Sequence, residues 1–131
     1  MEIGISLILD TNAVSAFADG DMDLLEIIAL APQLSLPVIV LGEYRFGIAA
    51  SRNAAGYRQW LGELVERCRV LEISEVTTHH YAEIRVALNK AGTPIPVNDA
   101  WIAALARQHD LPIISRDRHF DVVPSLRRIS W

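Results

Sequence analysis

Four acidic residues, remote from one another in the sequence, stand at places where a parallel sheet would gather them. Asp10 follows the first apolar run, Glu43 the second, Asp99 opens a late helix and Asp117 follows the fourth apolar run. Four carboxylates within about 5 Å would raise one another's pKa unless a cation were present. Mg²⁺ and Mn²⁺ prefer such oxygen ligands. The chemistry that this arrangement favours is metal-assisted hydrolysis of a phosphodiester.

Each acid taken singly also has a purely structural explanation. Asp10 suits the cap of a turn, Glu43 and Asp99 suit the positive ends of helices, and Asp117 suits a solvated loop. The neighbouring residues favour a site instead, because small or apolar residues at i+3, i+4 and i+7 place both helical acids on the predicted buried faces of their helices. These residues are Phe46, Gly47 and Ala50 after Glu43, and Ile102, Ala103 and Ala106 after Asp99.

The elements that must position the acids follow from the apolar pattern. Strands are predicted over residues 5–9, 36–41, 70–73, 111–115 and, at an edge, 126–130, with a polar loop at Asp10, Thr11 and Asn12. Helices are predicted over residues 22–31, 53–67, 75–91 and 98–109, the last capped by Asn98. Apolar strands alternating with helices indicate a three-layer α/β/α fold with a central parallel sheet of four to five strands. Ligands bind such sheets beyond the carboxyl ends of the strands.

Composition and charge restrict the class of protein. The chain has 131 residues, 51% of them hydrophobic, so we expect one domain over residues 1–131. The formal net charge of -4 argues against a typical nucleic-acid binder, but its distribution is uneven. No Lys or Arg precedes Arg45, whereas the 12 basic residues from there onward outnumber the acids of the same segment.

Cysteine content and hydropathy point to a cytoplasmic protein. A single cysteine, Cys68, excludes an internal disulfide and a cysteine-based zinc site. The longest uncharged stretch, residues 27–42, is too short and too interrupted by polar residues and proline to span a bilayer, so no membrane association is expected. Glu2 and Asp10 are incompatible with a secretory signal.

The four acidic segments carry a resemblance to a known family. Asp10 with Thr11 and Asn12, residues 40–48, residues 98–104 and residues 115–120 resemble, in order, the acidic motifs of PIN-domain ribonucleases. The small size and the segment from Glu43 to Ile48 resemble the VapC-type toxins of bacterial toxin–antitoxin pairs. The resemblance covers essentially the whole chain. It implies a PIN-like fold, an endoribonuclease that depends on Mg²⁺ or Mn²⁺ and cleaves RNA, a homodimer, and a cognate antitoxin that blocks the site.

Carried over by position, the resemblance assigns roles to individual residues. Asp10, Glu43, Asp99 and Asp117 become the catalytic, metal-binding acids, with Asp10 and Asp99 as direct ligands and the other two acting directly or through water. Thr11, Asn12 and Ser115 support the site. Ser115 stands where the family often has threonine, and it retains the hydroxyl.

Among the other polar residues, three arginines next to the acidic motifs are candidates to contact RNA phosphates. They are Arg45, Arg116 and Arg118, whose guanidinium groups can also pair with local acids or with an antitoxin carboxylate. The four histidines lack a metal-binding spacing, and most of them are expected to be structural.

Other functions remain open at this point. A receiver-like phosphorylatable domain also gathers acids and magnesium at a sheet edge, but it needs a pair of acids after the first strand and a late lysine. Here Asp10 stands alone and Lys90 is poorly placed. A catalytically degenerate PIN module that binds RNA or protein, and an acid cluster that cleaves DNA, are further alternatives.

Overall fold

Residues 6–131, described by a computed structural model, form a five-stranded parallel sheet between layers of helices. The strands are β1 (Leu7–Leu9), β2 (Leu34–Pro37), β3 (Arg69–Leu71), β4 (Ile113–Ile114) and β5 (Arg128–Ile129), in the spatial order β3-β2-β1-β4-β5. The helices are α1 (Thr11–Ala18), α2 (Met22–Ala29), α3 (Val38–Ile48), α4 (Ala54–Arg67), α5 (Glu75–Ala91) and α6 (Val97–His109), followed by a 3-10 turn at Arg118–Val122. Every strand pairing is parallel, which confirms the predicted fold class.

The centre of the sheet is buried on both faces. All three residues of β1 are at most 2% exposed, and β1 pairs with β2 on one side and β4 on the other. This is why its sequence is continuously apolar rather than alternating. The predicted first strand began at residue 5, which lies outside the described residues. Within the described range, no helix is both long and apolar enough to cross a bilayer.

The second strand is shorter than predicted, and its continuation is a helix. The β-branched run Val38, Ile39 and Val40 favours a strand locally, yet α3 begins at Val38 directly after Pro37. Val40, Tyr44 and Ile48 recur every four residues and are all buried, so tertiary packing of this face outweighs the strand propensity. The predicted buried face of this helix is therefore wrong: Phe46 is 86% exposed, and Gly47 and Ala50 are exposed as well.

The predicted polar loop after β1 is instead a helix. Thr11 opens α1, and Asp10 is its N-cap, with the carboxylate accepting a hydrogen bond from the backbone N–H of Thr11. Ala13 and Val14 are buried against the core. The helix has only eight residues, and its pattern was too short to be recognised from the sequence.

Helix α6 begins one residue earlier than predicted, and Asn98 is not its cap. Pro96 occupies the N-cap position, so Asn98 lies within the first turn and its amide is free to reach another element. The predicted inward face is confirmed, since Ile102, Ala103 and Ala106 are at most 1% exposed.

Candidate active site

The site lies at the carboxyl ends of the adjacent strands β1 and β4. The chain leaves β1 at Asp10 and β4 at Ser115, and the backbone N–H of Asp10 donates to the carbonyl of Ile114 at 3.2 Å. From β1 the sheet is extended by β2 on one side and by β4 on the other, so the order of strands reverses there. Open parallel sheets form ligand-binding crevices at such a switch point.

Asp10 is the most deeply buried acid of the site, with 5% exposure. Its Oδ1 accepts from the backbone N–H of Thr11 at 2.8 Å, and its Oδ2 accepts from the hydroxyl of Ser115 at 2.6 Å. Burial raises the pKa of Asp10, the two hydrogen bonds lower it, and the charges of Glu43 and Asp117 raise it further. The carboxylate is therefore held in a fixed orientation but lacks full compensation of its charge.

Ser115 connects three segments of the site through one hydroxyl. Besides donating to Asp10, its Oγ accepts from the backbone N–H of Asp117 at 2.9 Å and from the side-chain amide of Asn12 at 3.3 Å. The Asn12 carbonyl oxygen in turn accepts from the backbone N–H of Arg116 at 3.3 Å. These bonds tie the loop after β4 to the first turn of α1.

Glu43 reaches the same edge of the sheet from the second turn of α3. Its Oε1 accepts from the hydroxyl of Thr11 at 2.8 Å, and its Oε2 accepts from the side-chain amide of Asn98 at 3.4 Å. The prediction that Glu43 directly follows a strand is therefore wrong, because Glu43 lies within α3. The side chains of Thr11, from α1, and Asn98, from α6, hold its carboxylate from either side.

Asp99 and Asp117 meet at a histidine. The Nδ1 of His119 lies 2.9 Å from Oδ2 of Asp99 and 2.9 Å from Oδ1 of Asp117. Asp117 also accepts from the backbone N–H of His119 at 2.9 Å and caps the 3-10 turn. Among residues 6–131, these three side chains form a group whose ligand atoms all lie within 4.8 Å of one another. Asp10 and Glu43 are outside that group, so the four acids do not form one equally tight cluster.

Asp99 and His119 shift each other's pKa. Burial raises the pKa of Asp99, the hydrogen bond to His119 lowers it, and the charges of Asp117 and Asp10 raise it. The hydrogen bond to Asp99, with the charges of both aspartates, raises the pKa of His119. The raised pKa favours the protonated imidazole, whose charge would offset those of the two carboxylates.

The donor set suits a divalent cation. Asp10 and Asp99 are acids whose charged forms are disfavoured by burial and by neighbouring acids, which is the condition that a bound cation relieves. Carboxylate oxygens are the ligands that Mg²⁺ and Mn²⁺ prefer. The residues present thus fit a hard metal ion.

The three candidate phosphate-binding arginines differ in their surroundings. The guanidinium of Arg116 lies 3.7 Å from a carboxylate oxygen of Asp21 and 4.5 Å from the ring centroid of Trp131. Arg45 and Arg118 are exposed, and neither has an ion-pair partner within 4.0 Å among residues 6–131.

Two residues of this arrangement were missed at the level of sequence. His119 was not assigned to the site, and Asn98 was predicted to be a helix cap. The available signal was their position, because Asn98 precedes Asp99 directly and His119 follows Asp117 by two residues. A polar side chain that close to a predicted site acid is a candidate to contact it.

Comparison with known families settles the fold family. The profile of the PIN domain matches residues 7–126. This chain belongs to the PIN domain family. All four acids lie within the matched range, as do Asn98 and His119.

Characterised relatives of this PIN domain include ribonucleases. Ribonuclease VapC4 of Mycobacterium tuberculosis is 33% identical over 95 residues, which cover 71% of this chain and 73% of that protein. Ribonuclease VapC2 of Rickettsia felis is 27% identical over 128 residues, which cover 94% of this chain and 96% of that protein.

Solved structures share the architecture over nearly the full length. VapBC2 from Rickettsia felis, bound to a DNA fragment from its promoter, matches with a TM-score of 0.87 and 22% identity, covering 97% of this PIN domain and 99% of that chain. VapBC-1 from nontypeable Haemophilus influenzae matches with a TM-score of 0.83 and 26% identity, covering 97% and 98%.

Proposed function

We propose that this PIN domain is a metal-dependent endoribonuclease that hydrolyses RNA phosphodiester bonds and acts as the toxin of a toxin–antitoxin pair. The observation that carries the proposal is that four acids from four separate segments lie near the switch point of the sheet. Asp99 and Asp117 contact one histidine, and Asp10 and Glu43 each accept a hydrogen bond from a hydroxyl. The names of its relatives, several of them ribonucleases, agree with this chemistry.

In this proposal Asp10 and Asp99 are direct ligands of the metal, while Glu43 and Asp117 act directly or through bound water. Mg²⁺, with Mn²⁺ as a substitute, would supply an activated water and stabilise the charge that develops on phosphorus. His119 positions Asp99 and Asp117 in the absence of a metal, because its Nδ1 lies 2.9 Å from an oxygen of each.

The remaining polar residues orient the acids. The Ser115 hydroxyl and the Thr11 backbone N–H fix both oxygens of Asp10, so its orientation costs little entropy when a ligand binds. The Thr11 hydroxyl fixes Glu43 in the same way. Asn12 orients Asp10 indirectly, because its side-chain amide donates a hydrogen bond to the Ser115 hydroxyl that contacts Asp10.

For RNA binding we assign phosphate contacts to Arg45, Arg116 and Arg118. Arg45 and Arg118 are exposed and have no acid within 4.0 Å among the described residues, which leaves their guanidinium groups available to phosphate. Arg116 must first leave the Asp21 carboxylate, an exchange that is inexpensive because its side chain is 54% exposed.

A cognate antitoxin and a second copy of the chain complete the proposed assembly. Solved relatives are VapBC and FitAB toxin–antitoxin complexes, some bound to DNA, and this supports an antitoxin partner here. The homodimer and the single domain over residues 1–131 are proposed from the family resemblance and from the length of the chain.

Cleavage of RNA by the purified protein tests the function. We expect cleavage with Mg²⁺ or Mn²⁺, none with EDTA, and a loss of at least about 100-fold for Asp99→Asn, since removing a metal-binding charge removes most of the stabilisation of the transition state. Asp23→Asn makes the same change at an exposed acid outside the site and should cleave like the wild type.

The same assay separates the alternatives. Equal activity of wild type and Asp99→Asn, or indifference to EDTA, would refute the catalytic proposal and leave a degenerate module that only binds RNA or protein. Preferential cleavage of single-stranded DNA would make the enzyme a DNase. The receiver-like alternative has lost its support, because the chain belongs to a different family.

A further inference from the structure

One arginine contacts both ends of the segment that carries Asp117. Arg128, on β5, donates from Nε to Oδ1 of Asp121 at 2.7 Å and from Nη2 to Oδ2 at 3.0 Å, so the two groups form a bidentate pair. Its remaining nitrogen, Nη1, donates to the backbone carbonyl of Ser115 at 3.0 Å. A single guanidinium thus joins residues 115 and 121 to β5. We refer to residues 115–121 as the acid loop.

Ser115 is held by β5 at both of its backbone polar groups. Its N–H donates to the carbonyl of Ile129 at 2.9 Å, where β5 pairs in parallel with β4, and its carbonyl accepts from Arg128. The hydroxyl of the same residue donates to Asp10 at 2.6 Å. Because the backbone of Ser115 sets the position of its hydroxyl, the contact of Arg128 with that backbone also constrains the geometry at Asp10.

Asp121 lies in the 3-10 turn at the other end of the acid loop. Asp117 caps this turn, and its Oδ1 accepts from the backbone N–H of His119 at 2.9 Å. Phe120 is fully buried and fixes the turn to the core, whereas Asp121 fixes its outer side to Arg128. The orientation of the Asp117 carboxylate depends on this turn, so it depends on both attachments.

The surroundings of Arg128 suit a role within the protein rather than contact with RNA. Its side chain is 16% exposed, compared with 54% for Arg116. The hydrogen bond to Asp121 and the charges of Asp121 and Asp117 raise the pKa of Arg128, so the guanidinium is a permanent cation near a site acid. Since both oxygens of Asp121 accept from Arg128, Asp121 is not an additional free metal ligand.

We propose that Arg128 is a positioning residue for metal binding: it holds the acid loop at Ser115 and Asp121, and thereby keeps Asp10 and Asp117 in the geometry that receives the ion. This inference rests on the proposed function, which supplies the metal and the reaction. Groups that orient the ligands of a metal without contacting it typically change metal affinity or activity by about 10- to 100-fold when they are removed. An effect of that size is expected here, although Arg128 has no hydrogen bond to either acid.

Titration of the purified protein with Mn²⁺, followed by the electron paramagnetic resonance signal of the free ion, tests the proposal without RNA. Arg128→Ala should raise the Kd for Mn²⁺ at least about tenfold. Arg127→Ala is the matched control, because Arg127 is the exposed neighbouring residue and has no ion-pair partner within 4.0 Å among residues 6–131. Arg128→Lys should resemble Arg128→Ala, since an ammonium cannot reproduce a planar fork. A contribution to global stability alone would leave this Kd unchanged well below the Tm, because nearly all molecules remain folded.

Exogenous guanidinium provides a specific rescue. Guanidinium chloride at non-denaturing concentrations should restore part of the Mn²⁺ affinity of Arg128→Ala, because the free ion can occupy the vacated space and donate to Asp121 and Ser115. Methylammonium chloride at the same concentration supplies the same charge and ionic strength without the planar set of donors, so it should not restore the affinity. Neither salt should improve Mn²⁺ binding by the wild type.

Hydrogen exchange, measured by NMR, reports on the acid loop directly in the metal-free protein. The backbone amides of Asp117 and His119 donate to the Ser115 hydroxyl and to the Asp117 carboxylate. In Arg128→Ala both amides should exchange at least about tenfold faster than in the wild type, and guanidinium should slow them again.

The positioning role and the proposed function fail in different ways. Weaker Mn²⁺ binding by Arg128→Ala supports positioning even where no RNA is cleaved, and the proposed function alone is then refuted. Equal Mn²⁺ affinity and equal RNA cleavage by Arg128→Ala and an active wild type refute positioning alone. The proposal is also overturned if Arg127→Ala weakens Mn²⁺ binding as much, if the two salts act alike, or if Arg128→Ala raises only the KM for RNA, which would make Arg128 an RNA contact.

Discussion

Replacing Ser115 with alanine removes the hydrogen bond that most directly stabilises the charge on Asp10. The Ser115 side chain is fully buried, and its hydroxyl donates to Oδ2 of Asp10 at 2.6 Å. Asp10 keeps only the backbone N–H of Thr11 as a donor. The variant also takes an acceptor from the backbone N–H of Asp117 and from the side-chain amide of Asn12, and both of these bonds are only partly buried.

The expected loss of stability follows from the type of bond. A hydrogen bond to a charged group contributes about 1.5–3 kcal/mol, and little of this is screened because Asp10 is only 5% exposed. Ser115→Ala should therefore lower the free energy of unfolding at neutral pH by about 1.5–3 kcal/mol. For a domain of this size that corresponds to a fall in Tm of about 5–15 °C.

The loss should depend on pH, with a defined sign. Burial raises the folded-state pKa of Asp10 above its value of 3.8 in the unfolded chain, so ionising Asp10 already destabilises the wild type as the pH rises through that interval. Ser115→Ala raises this pKa further, because it removes a contact that lowers it. The difference between variant and wild type should be largest where Asp10 is charged. At low pH, where Asp10 is protonated in both, it should shrink to the about 0.5–1.5 kcal/mol of a neutral hydrogen bond.

Urea unfolding in EDTA from about pH 3 to pH 8 measures this difference without a metal to offset the charge. Ser115→Thr is the matched control, because its additional methyl shifts stability by a constant amount while its hydroxyl preserves the pH profile of the wild type. In an Asp10→Asn background, Ser115→Ala should lose most of its pH dependence. A difference below about 0.5 kcal/mol at neutral pH, or one that is the same across the pH range, would refute this account of Asp10.

Three further predictions concern single contacts. Thr11→Val removes the hydroxyl that holds Glu43 but keeps the shape of the side chain, so RNA cleavage should fall by about tenfold or more with little change in Tm, and Thr11→Ser should restore it. The bidentate pair with Arg128 lowers the pKa of Asp121, so the stability that Asp121 contributes is present at neutral pH and is lost as the pH falls through that lowered pKa. The Tm difference between wild type and Asp121→Asn should accordingly vanish in strong acid, and a constant difference would contradict the assignment. Burial raises the pKa of Cys68 to about 11, so iodoacetamide at neutral pH should modify it at least about tenfold more slowly than free cysteine, as followed by mass spectrometry, with an equal rate counting against the packing.

The fold class could be predicted because the buried strands carry their environment in their composition. Residues 7–9 and 113–114 are covered on both faces, so only apolar side chains occur there and the pattern itself indicates a parallel sheet. The boundary between β2 and α3 could not be predicted. Val38 to Val40 favour a strand by local propensity, and only the burial of Tyr44 and Ile48 one and two turns later makes the helix the better solution.

For the candidate site, the acids were easier to predict than their partners. A carboxylate next to an apolar strand end is conspicuous, since its burial requires compensation. An exposed His119 or Asn98 carries no such signal, because histidine and asparagine are common at turns and helix starts. Their contacts with Asp99 and Glu43 arise from the way α6 approaches α3 and the loop after β4 approaches α6.

By itself, the sequence determined the parallel α/β architecture, the identity of the four acids and the uneven distribution of charge, since each depends on residue type and on local order along the chain. The tertiary structure alone decided that Asp99 and Asp117 meet at His119 while Glu43 is held between Thr11 and Asn98. The physical reason is that these contacts join residues up to 55 positions apart in the sequence, and their distances are set by the packing of whole helices and not by the residues that make them.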